Sequence, residues 1–283
     1  MRKKIKLLSN AKINLGLNVL NKRDDGFHNI ETLYIPVTLY DELTIEQNEN
    51  IFLQTDNSDI PVDERNTVYK AAVLLKNRFK NNYGCSIFLK KHIPHGAGLG
   101  GGSSNAAFTL TGLNELWDLK LSLDELSDIA LEIGSDVPFF LLNRPAIGKG
   151  RGEILEPVEF NLKFKALLIY PNTIIDTGKV YNKVKIDLTN KEKNATFFTK
   201  IGELQELDGL NALKNHLESV VFREYPQIKL LKNDLYNDGA VFSSMSGSGS
   251  TVFGLFDENT DLDSIKRKYA GTNRVFEVMP INI

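Results

Sequence analysis

One cysteine in 283 residues leaves nothing inside the chain for it to pair with. Cys85 thus excludes the disulfide-stapled secreted scaffolds, and a reducing cytoplasm is the expected location. Excess charge of either sign is also missing: 34 Lys and Arg face 36 Asp and Glu, for a formal net charge of -2. No strong field draws such a chain to a nucleic-acid backbone or an anionic membrane, so neither is an expected partner. Long hydrophobic runs are lacking too, and no window approaches the ~18 uncharged apolar residues of a membrane span. The basic and apolar start MRKKIKLLSNAKINLG is broken by Lys6, Asn10, Lys12 and Asn14, which leaves no continuous apolar core for export. No Arg- and Ser-rich transit segment precedes the first strand, and there is no internal repeat.

What is present suits a globular protein with a sizeable core: 42% hydrophobic and 25% charged residues, in a chain long enough for two domains. Residues 4–20 alternate apolar and polar and read as strand. Turn chemistry follows at Asp25-Gly26, and then a second β-rich stretch in which Pro36 predicts an edge or a bend. Val68, Ala71, Ala72, Leu75 and Phe79 have helical spacing, and CSIFLKKHIP reads as a strand. Ala106, Leu110, Leu113 and Trp117 lie on one helical face. Ser122, Glu125 and Gly134 mark the start and stop of the next helix. The pattern breaks around residues 156–161, which places a domain boundary there. Helical stretches are expected over 199–223 and 226–237, and an exposed loop over 185–200. GSGS at 247–250 is either a plain hairpin turn or a loop that packs close to the first lobe.

The most informative stretch is HGAGLGGGSSNAA, residues 95–107. A strand runs into glycines and then into a helix expected to start near Ser103. The first turn of a helix leaves N–H groups unpaired and carries partial positive charge. Glycine lets that backbone approach an anion with no Cβ in the way, so the arrangement predicts a phosphate site. Ser103 and Ser104 add hydroxyls, as caps or as ligands to phosphate or Mg²⁺. The loop lacks the lysine of G-x-x-x-x-G-K-[ST], and its G-x-G-x-x-G match from Gly96 is weak by itself.

Pro94 to Ala107 resembles the glycine-rich signature of the GHMP kinases, small-molecule kinases that use ATP. SNAKINLGLNV, RDDGFHNIETLY, GSDVPFF and MSGSGSTVFGLF extend the resemblance from residue 9 to about 256. They narrow it to the branch that acts on 4-diphosphocytidyl-2-C-methyl-D-erythritol. The resemblance implies an α+β fold of two lobes, 1–158 and 159–283, with the active site in the cleft between them. The implied reaction is ATP-dependent phosphorylation of the 2-hydroxyl of that small molecule, in the non-mevalonate route to isoprenoid precursors, with Mg²⁺ bridging the phosphates. It places ATP on Pro94, His95, Gly96, Ala97, Gly98, Leu99, Gly100, Gly101, Gly102, Ser103 and Ser104, with Asn66 and Lys91 at the adenosine. No protein ligand for the metal is assigned beyond Ser104 as a candidate.

Asp136 is implied as the base that takes the alcohol proton, although Asp-x-Pro alone reads equally as a helix cap. Lys12 is implied as the charge that keeps Asp136 ionised and stabilises the alkoxide or the transferring phosphoryl group; by itself it reads as a lysine on a solvated strand face. Asn14, two residues on, is expected to bond the substrate. Phe27 and His28 are implied at the cytosine, with Tyr181 as the opposite stacking face and Thr177 nearby. Asn66 and Lys91 read alternatively as solvated surface residues. The chain departs from the pattern at Phe27, where tyrosine is commoner, at His95, and at Asn105, where many members carry aspartate. The match is poor after Pro171. R-x-D-G-F-H argues against a homoserine or mevalonate kinase, and the presence of both Lys12 and Asp136 argues against a nucleotide sensor that lost catalysis.

Overall fold

Strand β1 (Lys4–Lys22) carries its alternation into a long run, and β2 (His28–Asn48) follows after the Asp25-Gly26 turn. The structure, a computed structural model, describes residues 3–79, 83–184 and 207–281. The expected loop at 185–200 and the start of the helical stretch 199–223 lie outside these. The chain forms two compact units, and they are not consecutive in sequence. The first comprises residues 1–11, 39–94 and 100–143; the second comprises 12–38, 95–99 and 144–283. Residues 12–38, 95–99 and 144–158 therefore belong to the second unit although they precede residue 159. Helices and strands are mixed in both, an α+β architecture.

In the first unit, the end of β2 pairs antiparallel with β4 (Gly84–Lys90), from Glu42 opposite Lys90 to Asn48 opposite Gly84. β3 (Phe52–Thr55) lies parallel on the other side of β4. Helices α1 (Thr67–Arg78), α3 (Leu123–Ile133) and α4 (Val137–Leu142) pack against α2 (Gly101–Leu116). Helix α2 lies flush on the strands at Gly112, where a Cβ would fall 2.7 Å from Ile45 Cδ1 and 2.9 Å from Leu7 Cδ1. Helix α3 starts where the sequence predicts: Ser122 Oγ accepts from Glu125 N–H and the Glu125 carboxylate accepts from Ser122 N–H. Phe79, read as part of the α1 face, lies just past that helix and is exposed.

In the second unit, β5 (Ala146–Lys149) pairs with Thr32–Tyr34 of β2 and with β6 (Ile154–Pro157). A separate antiparallel sheet has the order β10 (Arg274–Val278), β7 (Lys165–Tyr170), β9 (Val252–Phe256), β8 (Phe242–Met245). All of Ala166–Tyr170 and all of β9 are buried, so these strands lack the alternation of a half-exposed sheet. Leu17, Val19 and Ile30 join Leu167, Ile169 and Val221 in one apolar cluster. The unit also holds α5 (Thr177–Lys183), α6 (Glu218–Glu224), α7 (Pro226–Asn237) and α8 (Asp263–Tyr269).

Two sequence expectations are refined or corrected here. β2 continues through Pro36 rather than bending there, and the proline pairs with neither β4 nor β5, which makes the expected edge a local one. The proline falls between Thr32–Tyr34, which pair with β5, and Glu42–Asn48, which pair with β4. Its carbonyl still accepts from Ile281 N–H at 2.8 Å. The second is the helical stretch ending at 223, whose described part is a 3₁₀ turn (Leu207–Ala212) and then α6. Residues 213–217 leave the helix because their backbone bonds β1. Leu17 N–H donates to Lys214 C=O at 2.9 Å, and His216 N–H to Leu17 C=O at 2.8 Å.

Candidate active site

In the first unit, the glycines change where α2 begins. Gly100 takes the left-handed region with φ 71°, and the helix starts at Gly101 rather than near Ser103. Gly101 and Gly102 therefore form the first turn, and no side chain caps it. The N–H groups of residues 101–103 have no intrahelical carbonyl to bond. Ser104 N–H is the first to find one, at Gly100 C=O, 2.9 Å away. Ser104 Oγ is buried with no hydrogen-bond partner among the described residues.

Asn66 and Lys91 both sit beside this helix start, and neither is a solvated surface residue. Asn66 caps α1: its Oδ1 accepts from Val68 N–H at 2.9 Å, and its Nδ2 donates to Pro61 C=O at 2.7 Å. The neighbouring Thr67 Oγ1 donates to Gly102 C=O at 2.7 Å. Lys91 Nζ is buried, paired with Asp41 and bonded to Asn105 Oδ1 at 3.1 Å. Asp41 was invisible to motif reading. It shares strand parity with the buried Leu43 and Ile45, which marks a carboxylate pointing inward. Asp136 immediately precedes α4, with φ -83° and ψ -9°, and its side chain makes no capping hydrogen bond. The helix-cap reading is therefore not how this carboxylate is used.

In the second unit, residues 97–99 of the glycine loop meet the turn between β8 and β9. Ser246 Oγ donates to Gly98 C=O at 2.9 Å, and Thr251 N–H donates to Ala97 C=O at 3.2 Å. The 247–250 stretch is thus a hairpin turn that also docks on this loop. Lys12 N–H donates to Leu99 C=O at 3.0 Å. The Lys12 side chain is only 4% exposed, so the solvated-face reading fails. Its Nζ donates to Asn14 Oδ1 and lies 5.2 Å from the centre of the Tyr34 ring. Asn14 Nδ2 donates to Thr32 Oγ1 at 2.9 Å, and Thr32 Oγ1 donates to Gly16 C=O at 2.6 Å. This chain of bonds fixes the amide and presents its oxygen to the lysine. A Cβ on Gly247 would lie 3.2 Å from Asn14 Oδ1 and 3.5 Å from Lys12 Nζ, so bare backbone borders both groups.

The expected base-recognition residues also come together in this unit. His28 and Tyr181 stack with ring centroids 5.6 Å apart and planes inclined by 29°. Phe27 is 51% exposed, with the Arg151 guanidinium 4.8 Å above its ring. Thr177 Oγ1 is 2.7 Å from Ser248 Oγ, which ties the start of α5 to the β8–β9 turn. Burial, helped by the Lys22 charge, lowers the His28 pKa, which favours neutral imidazole.

Burial also lowers the pKa of His216, whose Nδ1 accepts from Val19 N–H at 3.1 Å. Both imidazoles bind a proton less readily in the fold than at their ordinary 6.5. The unfolded chain therefore gains protons first as pH drops. The stabilisation is complete above about pH 6.5 and is lost as pH falls below it. The melting temperature should decline from pH 7 to pH 5, and His216→Asn should flatten that decline. An unchanged slope in this variant would rule out His216 as a contributor.

Two family models match the sequence: the GHMP kinases N terminal domain over residues 66–144 and the GHMP kinases C terminal domain over 195–273. A 4-diphosphocytidyl-2-C-methyl-D-erythritol kinase of Clostridioides difficile (strain 630) is 40% identical over 265 residues, covering 91% of this chain and 88% of its own. The enzyme of that name from Azobacteroides pseudotrichonymphae genomovar. CFP2 is 44% identical over 252 residues, covering 87% and 91%. A crystal structure of 4-(cytidine 5'-diphospho)-2C-methyl-D-erythritol kinase superposes with a TM-score of 0.82 at 31% identity, covering 99% of this chain and 100% of the other. On this agreement of sequence and fold, the chain belongs to the GHMP kinases, ATP-dependent enzymes that phosphorylate small molecules, and within them to the family of the 4-diphosphocytidyl-2-C-methyl-D-erythritol kinases.

Proposed function

We propose that this enzyme transfers the γ-phosphoryl group of ATP to the 2-hydroxyl of 4-diphosphocytidyl-2-C-methyl-D-erythritol, giving the 2-phosphate and ADP. The observation that carries the reading from kinase to substrate is the His28–Tyr181 stack beside the Asp25-Gly26 turn. Aromatic faces suit a pyrimidine, and a neutral imidazole both donates to and accepts from its edge. The names borne by relatives at about 40% identity support the same substrate. The near-zero net charge and lone cysteine support a cytoplasmic enzyme acting on a small molecule rather than on nucleic acid or lipid.

In this reading, N–H groups at the start of α2 and the glycine backbone hold the triphosphate. Asp136 accepts the proton of the 2-hydroxyl as its oxygen attacks the γ-phosphorus, and the β–γ bridging oxygen leaves with ADP. Lys12 stabilises the negative charge of the alkoxide and of the phosphoryl group in flight. Asn14, Phe27, His28, Thr177 and Tyr181 orient the substrate. Mg²⁺, when bound, neutralises charge on the phosphate oxygens. The unspent Ser104 hydroxyl fits a ligand to it.

The test is ADP release by the purified enzyme with the cytidyl alcohol, homoserine or mevalonate as acceptor. Turnover on the cytidyl alcohol should exceed that on the others by at least about a hundredfold in kcat/KM, since a site built to bond a base rejects substrates that lack it. Comparable or faster turnover of homoserine or mevalonate would overturn the assignment.

A further inference from the structure

We propose that Asp41, Lys91 and Asn105 are positioning residues: a buried polar triad that sets where the start of α2 stands and hence how tightly the triphosphate is held. The inference rests on the reading above that ATP's phosphates bind at that helix start.

Asp41 is completely buried, and both of its carboxylate oxygens are fully used. Oδ1 accepts from His92 N–H at 2.7 Å and from Ile93 N–H at 2.8 Å, the residues that lead from β4 into the glycine loop. Oδ2 accepts from Lys91 Nζ and from Asn105 Nδ2, the latter at 2.8 Å. Lys91 Nζ also donates to Asn105 Oδ1 at 3.1 Å, and Asn105 Nδ2 also donates to Ser9 Oγ at 2.8 Å. One side chain therefore grips the end of β4 with one oxygen and the second turn of α2 with the other.

A buried ion pair is a poor device for stability alone, because desolvation offsets much of its attraction. Its bonds are directional, however, and an apolar cluster in the same place would fix no register. The contacts of Gly101 show what the register is for. A Cβ there would lie 2.9 Å from Ile93 Cγ2 and 3.2 Å from Lys91 Nζ, so the first turn sits directly on the triad. On its other flank, Thr67 Oγ1 holds Gly102 C=O at 2.7 Å. The N–H groups of residues 101–103 are thus aimed from two sides. Lys91 contributes through Asp41 and Asn105, its side chain being only 5% exposed.

The triad needs one carboxylate between positions 41 and 105, and Lys91 reaches both. Asp41→Asn removes the lysine's counter-charge, and Asn105→Asp sets two carboxylates against each other. The double variant Asp41→Asn/Asn105→Asp restores one carboxylate, one amide and one ammonium. The amide oxygen it introduces at position 41 can still accept from the N–H groups of residues 92 and 93.

The experiment is calorimetric binding of the non-hydrolysable analogue AMP-PNP with Mg²⁺, alongside thermal melting. It involves no acceptor, so failure of the cytidyl substrate in turnover would leave it valid. Each single variant should weaken AMP-PNP about tenfold, and the double variant should recover to within about threefold of wild type, the scale expected when a binding backbone is misplaced by a fraction of an ångström. A triad that serves stability alone would shift melting in the singles and leave affinity in the folded protein unchanged, which overturns the proposal. A folded double variant as weak as the singles also overturns it. Should a single variant fail to fold, Thr67→Val at its partly exposed site gives an independent reading. It should raise the dissociation constant about threefold at unchanged melting temperature, and wild-type affinity there counts against the proposal.

Discussion

Asp136→Asn should remain folded, bind ATP within about twofold of wild type, and lose about a thousandfold in kcat, the range general-base catalysis supplies. An asparagine in this place cannot take the proton, so the attacking alcohol stays neutral at the moment of bond formation. The substitution leaves the start of α4 in place, because the Asp136 side chain makes no capping bond to it. The helix start is set instead by Val137 N–H donating to Gly134 C=O at 3.1 Å and by Pro138 at the second helical position. The variant is therefore a clean probe: the measurement is ADP release under saturating substrates, paired with calorimetric ATP affinity. Turnover within tenfold of wild type would remove Asp136 from the chemistry.

Gly98→Ala should be severely damaging for a single added methyl. Gly98 has φ 77°, where an L side chain is strained. A Cβ there would also stand 2.1 Å from Ser246 C=O and 3.0 Å from Gly249 C=O. That backbone cannot yield cheaply. Asn215 Nδ2 holds Met245 C=O and Gly247 C=O at 2.8 and 2.7 Å, and Ser246 Oγ is bonded to Gly98 itself. Strain of about 1 kcal/mol and overpacking of about 1–3 kcal/mol act together, and the glycine loop is displaced with them. The expected loss is about 3 kcal/mol in urea unfolding, with turnover abolished. Gly26→Ala is the control: φ is 85°, but nothing lies within 4 Å of the new methyl, so only the strain of about 1 kcal/mol remains. Equal stability losses in the two variants would refute the clash.

Features whose causes are local were legible in the sequence, and features set by distant partners were not. The Ser122–Glu125 box that starts α3 lies within four residues and reads directly. Asn66 carries a signal of the same kind, a capping residue just before an apolar helical run. The start of α2 reads late because glycine is a poor helix former and hides a first turn that tertiary contacts impose. The Lys91–Asp41–Asn105 triad joins residues 50 and 64 positions apart, beyond the reach of any periodicity. For the same reason Lys12 read as solvated. Its burial depends on Tyr34 and on Gly247, and only the fold brings these beside it. His28 and Tyr181 were named for one task from separate motifs, and their stacking unites them.

The make-up of the second unit has a consequence for synthesis. A ribosome releases residues 12–38 long before residues 144–283, with which they are grouped. Thr38 N–H waits for Met279 C=O, and Leu17 waits for residues 214–216. The nascent chain must therefore keep Leu17, Val19 and Ile30 unburied by their eventual neighbours while residues 39–143 are still being made. Vectorial folding can assemble the first unit from what has already emerged, but the second becomes whole only after the polypeptide is nearly finished.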